Sequence, residues 1–259
     1  MEHHRLKRIP SQHLGRSIHL WCHGWYGTPV LVLPSASGMA HEWQLGGAVE
    51  ALRPWLDAGI LKLYCVETNV SESWLSERPS GEKLDRHQAY ESFLLDELVP
   101  WIERDCQTPG IPMVACGVSF GGYLALNLAL RHPERFSRVL TLSARYRISP
   151  FLSAVEPHRS LDAYYQQPLA YVPNLSGAAL RRVAHRVSGV LVVGRGPHEG
   201  RCLPETIEMA DALRGRGLRF GLDVWGDEVS HEWVWWRRQL THHLPAVAQG
   251  RPLLSRRVF

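Results

Sequence analysis

The stretch that decides the fold runs from Ala115 to Phe136 and reads "ACGVSFGGYLALNLALRHPERF". An apolar run ends where a helical pattern begins, and the segment GVSFG (117–121) fits G-x-S-x-G between a strand and a helix. Glycines two residues before and after the serine allow a tight, strained turn. Such a turn raises the Ser119 hydroxyl above the sheet and aims the backbone N–H of Phe120 at an anionic oxygen formed on an attacked carbonyl. The pattern predicts Ser119 as a nucleophile.

Short apolar runs alternate with longer amphipathic ones on both sides of this stretch. The expected strands are 17–25, 29–34, 61–67, 111–117, 137–143, 188–194 and 218–225, and the expected helices are 44–58, 86–104, 121–131, 203–216 and 231–246. Strands that are apolar throughout are typical of a parallel sheet covered on both faces. The order predicts an α/β protein with a mostly parallel, doubly wound sheet and helices on both faces. With 259 residues, 45% of them hydrophobic, we expect one domain over 1–259.

Two connections are long enough to carry a function of their own. The first is 68–85, which is polar and turn-rich, and the second is 144–187, which is rich in Tyr and Pro. Long connections in a compact domain are often functional loops or lids. We therefore predict a cap-like insertion around 144–187, with a surface excursion as the alternative.

Composition argues against several classes of protein. The formal net charge is +4, but the arginines are dispersed and form no basic stripe with aromatics, so no nucleic-acid partner is expected. No apolar run approaches the roughly 18 residues that span a bilayer, and no secretory signal is recognisable, so no membrane partner is expected. Five cysteines without a C-x-x-C pair indicate a reduced, cytoplasmic protein with no metal site. No cofactor is expected, and assembly as a homo-oligomer is left open.

A serine hydroxyl needs a base, and in α/β-hydrolases the chain order is serine, acid, histidine. The segment GDEVSHEWVWWRRQL (226–240) supplies His231 directly after the last expected strand. We therefore predict His231 as the base, with a capping or core histidine as the alternative. If another base acts, His198 is the first candidate.

With these residues in this order, the chain resembles the putative-esterase family of α/β-hydrolases, the group related to esterase D, S-formylglutathione hydrolase and the mycolyltransferases. The resemblance covers nearly the whole length and is carried by "GTPVLVLPSASG" (27–38), "WLDAGILKLYCVETNVSESW" (55–74), "GVSFGGYLALNLALRHPERFSRVLTLS" (117–143) and "LDVWGDEVSHEWVWWRRQL" (222–240). It implies hydrolysis of a carboxylic ester or thioester through Ser119 and His231. It also implies a second oxyanion donor, the backbone N–H of Ala36, on the loop after strand 29–34.

The acid is where this sequence departs from the family. Related sequences carry an aspartate two residues before a Cys-Leu pair, and Gly200 stands at that position here. Glu199 is adjacent to this position, and its side chain is one methylene longer than that of aspartate. Asp227 and Glu228, in the turn just before the predicted base, are the alternative acids. We predict that Glu199 accepts a hydrogen bond of about 2.6–3.2 Å from the ring nitrogen of His231 that faces away from Ser119. A glycine at 200 would let the backbone shift to aim the longer side chain.

Three functions fit this set of residues. The first is a serine esterase that acts on a small-molecule ester or thioester through an acyl-enzyme. The second is an acyltransferase that uses the same residues and passes the acyl group to an alcohol or amine. Whether a cap excludes water from the site would decide between hydrolysis and transfer. The third is a degenerate hydrolase that binds a ligand or a partner, because losing the acid can cost about four powers of ten in turnover. Trp74, in the polar 68–85 loop, is the candidate for an apolar wall of the substrate pocket.

Overall fold

Eight strands form one sheet in the order β1-β2-β4-β3-β5-β6-β7-β8. The structure is a computed structural model that describes residues 4–152 and 160–251. The strands are β1 His4–Ser11, β2 Arg16–His23, β3 Thr28–Leu33, β4 Leu61–Val66, β5 Met113–Val118, β6 Phe136–Leu142, β7 Ser188–Val193 and β8 Arg219–Val224. The β2 strand is antiparallel to both β1 and β4, and the other neighbours are parallel. The mostly parallel sheet predicted from the sequence is confirmed.

Helices cover both faces of this sheet. They are α1 Glu42–Leu45, α2 Ala48–Ala51, α3 Arg53–Asp57, α4 Ser80–Ser92, α5 Val99–Asp105, α6 Phe120–Arg131, α7 Leu161–Tyr165, α8 Pro168–Tyr171, α9 Gly177–Arg186, α10 Cys202–Gly215 and α11 Trp233–Ala248. A π-helical turn, Phe93–Leu98, joins α4 to α5. Of the helices in the described part of the chain, none is long and apolar enough to cross a bilayer.

The core lies in two layers because side chains alternate along each strand. In β3, Leu31 and Leu33 join the cluster beneath α4, α5, α6 and α10, while Val30 and Val32 join the cluster beneath α1–α3 and α11. Every residue of β4 and β5 is buried. Burial on both faces is the physical reason that these strands read as continuous apolar runs rather than as alternating ones.

The β1 strand and the helix expected over 44–58 differ from the sequence prediction. The β1 strand was not predicted, because most of its residues are exposed at the edge of the sheet and the segment HRLKRIPS has almost no apolar signal. The single helix expected over 44–58 is wrong, since three short helices replace it. Gly47 adopts a left-handed φ of 72° between α1 and α2, a conformation that interrupts a helix and that glycine adopts without strain.

The long connection after β6 holds short helices rather than one extended loop. A 3₁₀ turn (Ser149–Phe151), α7 and α8 precede α9, which returns the chain to β7. Part of the predicted cap, residues 153–159, lies outside the described residues. The ring of Phe151 meets the ring of Phe120 edge to face, with 5.8 Å between centroids. This connection therefore contacts the residue that directly follows Ser119, and its role as a cap stays a prediction.

Candidate active site

Ser119 lies at the tip of a strained turn between β5 and α6. Its backbone has φ 53° and ψ −121°, a conformation that costs a non-glycine residue on the order of 1–3 kcal/mol. The Ser119 N–H donates to the carbonyl of Leu142 at 2.8 Å, so the end of β6 holds the turn in place. A strained backbone at the serine, held in place by the surrounding structure, is the geometry that G-x-S-x-G predicts.

The flanking glycines are required because the turn brings backbone segments into contact. A β-carbon on Gly117 would lie 2.2 Å from the carbonyl of Gly121. A β-carbon on Gly121 would lie 2.1 Å from the carbonyl oxygen of Leu33, at the end of β3. Neither clash can be relieved by rotating a side chain, since both partners are backbone.

The His231 ring meets Ser119 directly. Nε2 of His231 lies 3.0 Å from Oγ of Ser119, within hydrogen-bond distance. The residue is held from two sides: its N–H donates to the carbonyl of Pro197 at 3.1 Å, and Trp236 packs edge-on against its ring at 4.9 Å between centroids. A histidine so placed can accept a proton from the serine hydroxyl.

Two loops bring Glu199 to the opposite side of that ring. The loop after β7 is hydrogen-bonded to the loop before His231, from Gly196 N–H to the carbonyl of Val229 at 3.0 Å. Glu199 turns inward, with 1% of its side chain exposed, and its Oε2 lies 3.5 Å from Nδ1 of His231. The inward orientation agrees with the prediction, but the expected distance of 2.6–3.2 Å is wrong. Catalytic hydrogen bonds are often long in ligand-free proteins and tighten with substrate.

The competing residues do not approach the ring in this way. Asp227 has 85% of its side chain exposed and pairs with Nε of Arg195 at 3.0 Å. Glu228 and His198 are also exposed. Among the carboxylates weighed from the sequence, Glu199 is the one that faces His231.

The reason predicted for Gly200 is wrong. Gly200 is exposed, and a β-carbon built on it would meet nothing within 4 Å. The unusual backbone lies two residues earlier, at His198, where φ is 66°. Residue 199 supplies the buried carboxylate, and the structure gives no steric reason for glycine at 200.

Ser143 is a residue of this site that sequence reasoning missed. It is fully buried just after β6, and its hydroxyl donates to Oε1 of Glu199. The hydroxyl oxygen of Ser143 in turn accepts from Nε1 of Trp236 at 3.0 Å. Ser143 also has a left-handed φ of 50°. Its place at the carboxyl end of a strand was the one available signal. The hydrogen bonds from Trp236 to Ser143 and from Ser143 to Glu199 hold the carboxylate on the side of the His231 ring that faces away from Ser119.

The two expected oxyanion donors lie on adjoining segments. Phe120 begins α6 directly after Ser119, and the start of α6 packs on the end of β3. Ala36 is exposed in the turn that follows β3. Glu42 anchors this turn because its Oε2 accepts from the Ser35 N–H at 2.7 Å. A helix N-terminus beside an anchored turn can present two backbone N–H groups to one oxygen.

Trp74 lies in the core rather than on an open wall. Its ring packs against His87 with 4.8 Å between centroids, and its side chain is almost fully buried. A role for Trp74 in the substrate pocket stays a prediction, and this burial does not favour it.

An open groove of about 740 Å³ lies next to the turn that follows β3. Residues Ser37, Gly38, Met39 and Ala40 line it from the turn after β3. Another groove, of about 850 Å³, is lined at the start of β3 by Thr28 and Pro29. That groove lies at the amino ends of the parallel strands, whereas Ser119 follows β5 at their carboxyl ends, so the groove is on the opposite side of the sheet from Ser119.

Solved structures show the class of fold. The chain aligns with an S-formylglutathione hydrolase from Agrobacterium tumefaciens at a TM-score of 0.74 and 16% identity, covering 94% of each chain. A ferulic acid esterase aligns at 0.73 and 18% identity over 95% of this chain and 97% of the other. MPT51 of Mycobacterium tuberculosis aligns at 0.69 and 15% identity over 96% and 99%. This protein has the α/β-hydrolase fold.

The family follows from the sequence match. The family described as "Putative esterase" matches residues 67–247, and the chain belongs to it. Ester hydrolysis is the general chemistry that this membership supports. One curated relative, a 1-acylglycerol-3-phosphate O-acyltransferase of Saccharomyces cerevisiae, is 30% identical over 84 residues. That alignment covers 32% of this chain and 21% of the relative, so the chain matches about a fifth of the relative's length.

Proposed function

We propose that this protein is a serine esterase that hydrolyses a small carboxylic ester or thioester through an acyl-enzyme on Ser119. The observation that carries the proposal is the 3.0 Å contact between Oγ of Ser119, on its strained turn, and Nε2 of His231. Glu199, buried behind the ring, serves as the acid that holds the imidazole tautomer and stabilises the imidazolium.

The reaction uses each group in turn. Oγ of Ser119 attacks the carbonyl carbon while its proton passes to Nε2 of His231. The backbone N–H groups of Phe120 and Ala36 stabilise the oxyanion of the tetrahedral intermediate. The intermediate collapses, and the leaving alcohol or thiol takes the proton from Nε2. Water then attacks the acyl-serine with His231 as base, releasing the acid and restoring the serine.

The groove that begins at Ser37 is the proposed binding surface for the part of the substrate beyond the reacting carbonyl. Its walls combine exposed apolar side chains, Leu6, Met39 and Leu45, with polar ones, Arg16 and His19. This mixture suits a substrate with an apolar portion and hydrogen-bonding groups.

A covalent probe tests the proposal. A fluorophosphonate should label the protein, and Ser119→Ala should lose both labelling and hydrolysis of an activated aryl ester while keeping its circular dichroism spectrum. Ser176→Ala, at an exposed serine before α9, is the matched control and should behave as the wild type. Undiminished turnover in Ser119→Ala would exclude the serine mechanism, and a wild type that takes no label would favour the binding-only alternative.

An acyltransferase acting through the same residues is the second candidate, and the partial likeness to the yeast acyltransferase favours it. The two functions differ in what attacks the acyl-serine. Adding an alcohol acceptor to the assay separates them: a transferase forms the new ester in preference to the free acid, and an esterase releases acid whatever acceptor is present.

A further inference from the structure

A nitrogen of His231, an oxygen of Glu199 and the sulfur of Cys202 lie close together on the side of the His231 ring that faces away from Ser119. Nδ1 of His231 lies 3.5 Å from Oε2 of Glu199 and 3.9 Å from Sγ of Cys202. All three atoms lie within 4.8 Å of one another. The proposed ester chemistry uses the histidine and the glutamate but has no role for the cysteine.

Two of the three separations are close to those of a tetrahedral zinc site, and the third is at most 4.8 Å. With Zn–N and Zn–O bonds of about 2.1 Å and a Zn–S bond of about 2.3 Å, tetrahedral angles separate N from O by about 3.4 Å and N from S by about 3.6 Å. The observed separations, 3.5 and 3.9 Å, differ from these by a few tenths of an ångström at most. A small adjustment of side chains would seat the ion.

Glu199 also presents an oxygen that lacks a donor. Its Oε1 accepts from Ser143, but its Oε2 is buried and accepts no hydrogen bond from the described residues. This oxygen faces Nδ1 of His231, which the proposed triad also uses, and it lies within 4.8 Å of Sγ of Cys202. The oxygen, the nitrogen and the sulfur are therefore close enough to share one ion.

Cys202 is placed by the first turn of α10. The Leu203 N–H donates to the carbonyl of Glu199 at 2.9 Å, so residues 199 and 202 lie on the same side of this turn. Burial, and then the charge of Glu199, raise the pKa of the Cys202 thiol to about 12. The sulfur binds as a thiolate, so zinc binding releases the thiol proton to solvent.

We infer that Glu199, Cys202 and His231 form an inhibitory site for a thiophilic divalent cation such as Zn²⁺. The ion bonds to Nδ1, so the ring carries its single proton on Nε2. Nε2 then donates toward Oγ of Ser119 and has no lone pair left to accept the serine proton. Inhibition rests on the proposed function, whereas binding does not.

Binding is tested without any activity, in the Ser119→Ala protein. Co²⁺, which replaces Zn²⁺ in such sites and is coloured, should give a near-ultraviolet thiolate-to-cobalt charge-transfer band at one equivalent. Adding Cys202→Ala should abolish the band. Adding Cys106→Ala, at the partly buried cysteine beside Tyr64, should leave it intact. The other cluster of metal-binding side chains among the described residues, Asp223, His242 and His243, contains no sulfur and cannot produce this band. A silent spectrum would overturn the inference.

Inhibition is tested by turnover. Zn²⁺ should inhibit wild type reversibly, with activity restored by EDTA. The Zn²⁺ concentration for half-inhibition should rise at least about tenfold in Cys202→Ala, with each variant normalised to its own metal-free rate, and should not change in Cys106→Ala. Equal sensitivity of Cys202→Ala would overturn the inhibitory role. If the wild type hydrolyses no ester, the proposed function fails while the cobalt result still decides the site.

Discussion

Ser143 and Glu199 are hydrogen-bonded to each other in the interior although they lie 56 residues apart in the sequence. The bond uses one oxygen of the carboxylate and leaves the other facing Nδ1 of His231. Because Trp236 donates to the same serine oxygen, the hydroxyl hydrogen of Ser143 is directed at Glu199. Ser143 is thus a positioning residue that acts on the histidine through the glutamate.

Replacing Ser143 should slow turnover without weakening substrate binding. We expect Ser143→Gly to lower kcat about 10- to 100-fold with little change in KM, because Glu199 loses its donor and is free to rotate. Glycine is chosen because it adopts the φ of 50° without strain, unlike alanine. Trp236→Phe keeps the ring against His231 and should cost less. A change in KM alone would contradict a positioning role, and steady-state kinetics on an aryl ester separates the two constants.

Removing the charge of Glu199 should be far more damaging than removing that of Asp227. Glu199→Gln keeps the shape but loses the carboxylate behind His231, and we expect kcat to fall by about four powers of ten. Asp227→Asn, at the exposed carboxylate paired with Arg195, should stay within about twofold of wild type. Comparable losses in both variants would mean that Glu199 is not the acid.

Met39 tests the proposed substrate groove. Met39 is 41% exposed on the groove wall, so Met39→Ala removes an apolar contact with the substrate and leaves the core intact. We expect KM for an ester with a long apolar group to rise about 3- to 30-fold, and KM for a short acetyl ester to stay the same. Ile207→Ala is the matched control, since Ile207 is 39% exposed on α10, outside the groove. Equal effects on both esters would argue against the groove.

His87 should make the protein less stable in acid. Burial lowers its pKa from 6.5 to about 4. Between these values the unfolded chain binds a proton that the folded protein excludes, so the free energy of unfolding falls as pH falls. At 1.36 kcal/mol per pH unit, His87 contributes a loss of about 3 kcal/mol from pH 6.5 to 4. Urea unfolding at several pH values measures this slope. His87→Gln should reduce it, and an unchanged slope would show that His87 is not responsible.

Local pattern predicted the strands that are buried on both faces and the turn that carries Ser119. Those features depend on apolar runs and on glycine spacing, which a sequence displays directly. The β1 strand escaped prediction because it is formed by pairing with β2 at the sheet edge, and its mostly exposed residues carry little apolar signal. The helix predicted over 44–58 was divided by Gly46 and Gly47. Gly46 accommodates Trp233, whose ring would lie 2.2 Å from a β-carbon there, and no local signal reveals that contact.

The site was predictable to the extent that its members follow strand ends. Ser119 and His231 were brought together as expected. The reason given for Gly200 was that a residue without a β-carbon lets the backbone shift to aim Glu199, but a β-carbon at this open position would meet nothing within 4 Å. Ser143 could not have been chosen from the sequence, because its role depends on the direction of one hydroxyl in a buried network.

The β1 strand has a consequence for assembly. It is the first strand of the sheet order and pairs only with β2 within the described part of the chain, so its outer edge is free. A second copy joining there about a two-fold axis would run antiparallel and bring the exposed Lys7 and Arg8 of the two copies close together. Like charges across paired strands repel, and such charges at an edge discourage one sheet from extending into another. Any homo-oligomer of this protein should therefore associate through a surface other than this margin.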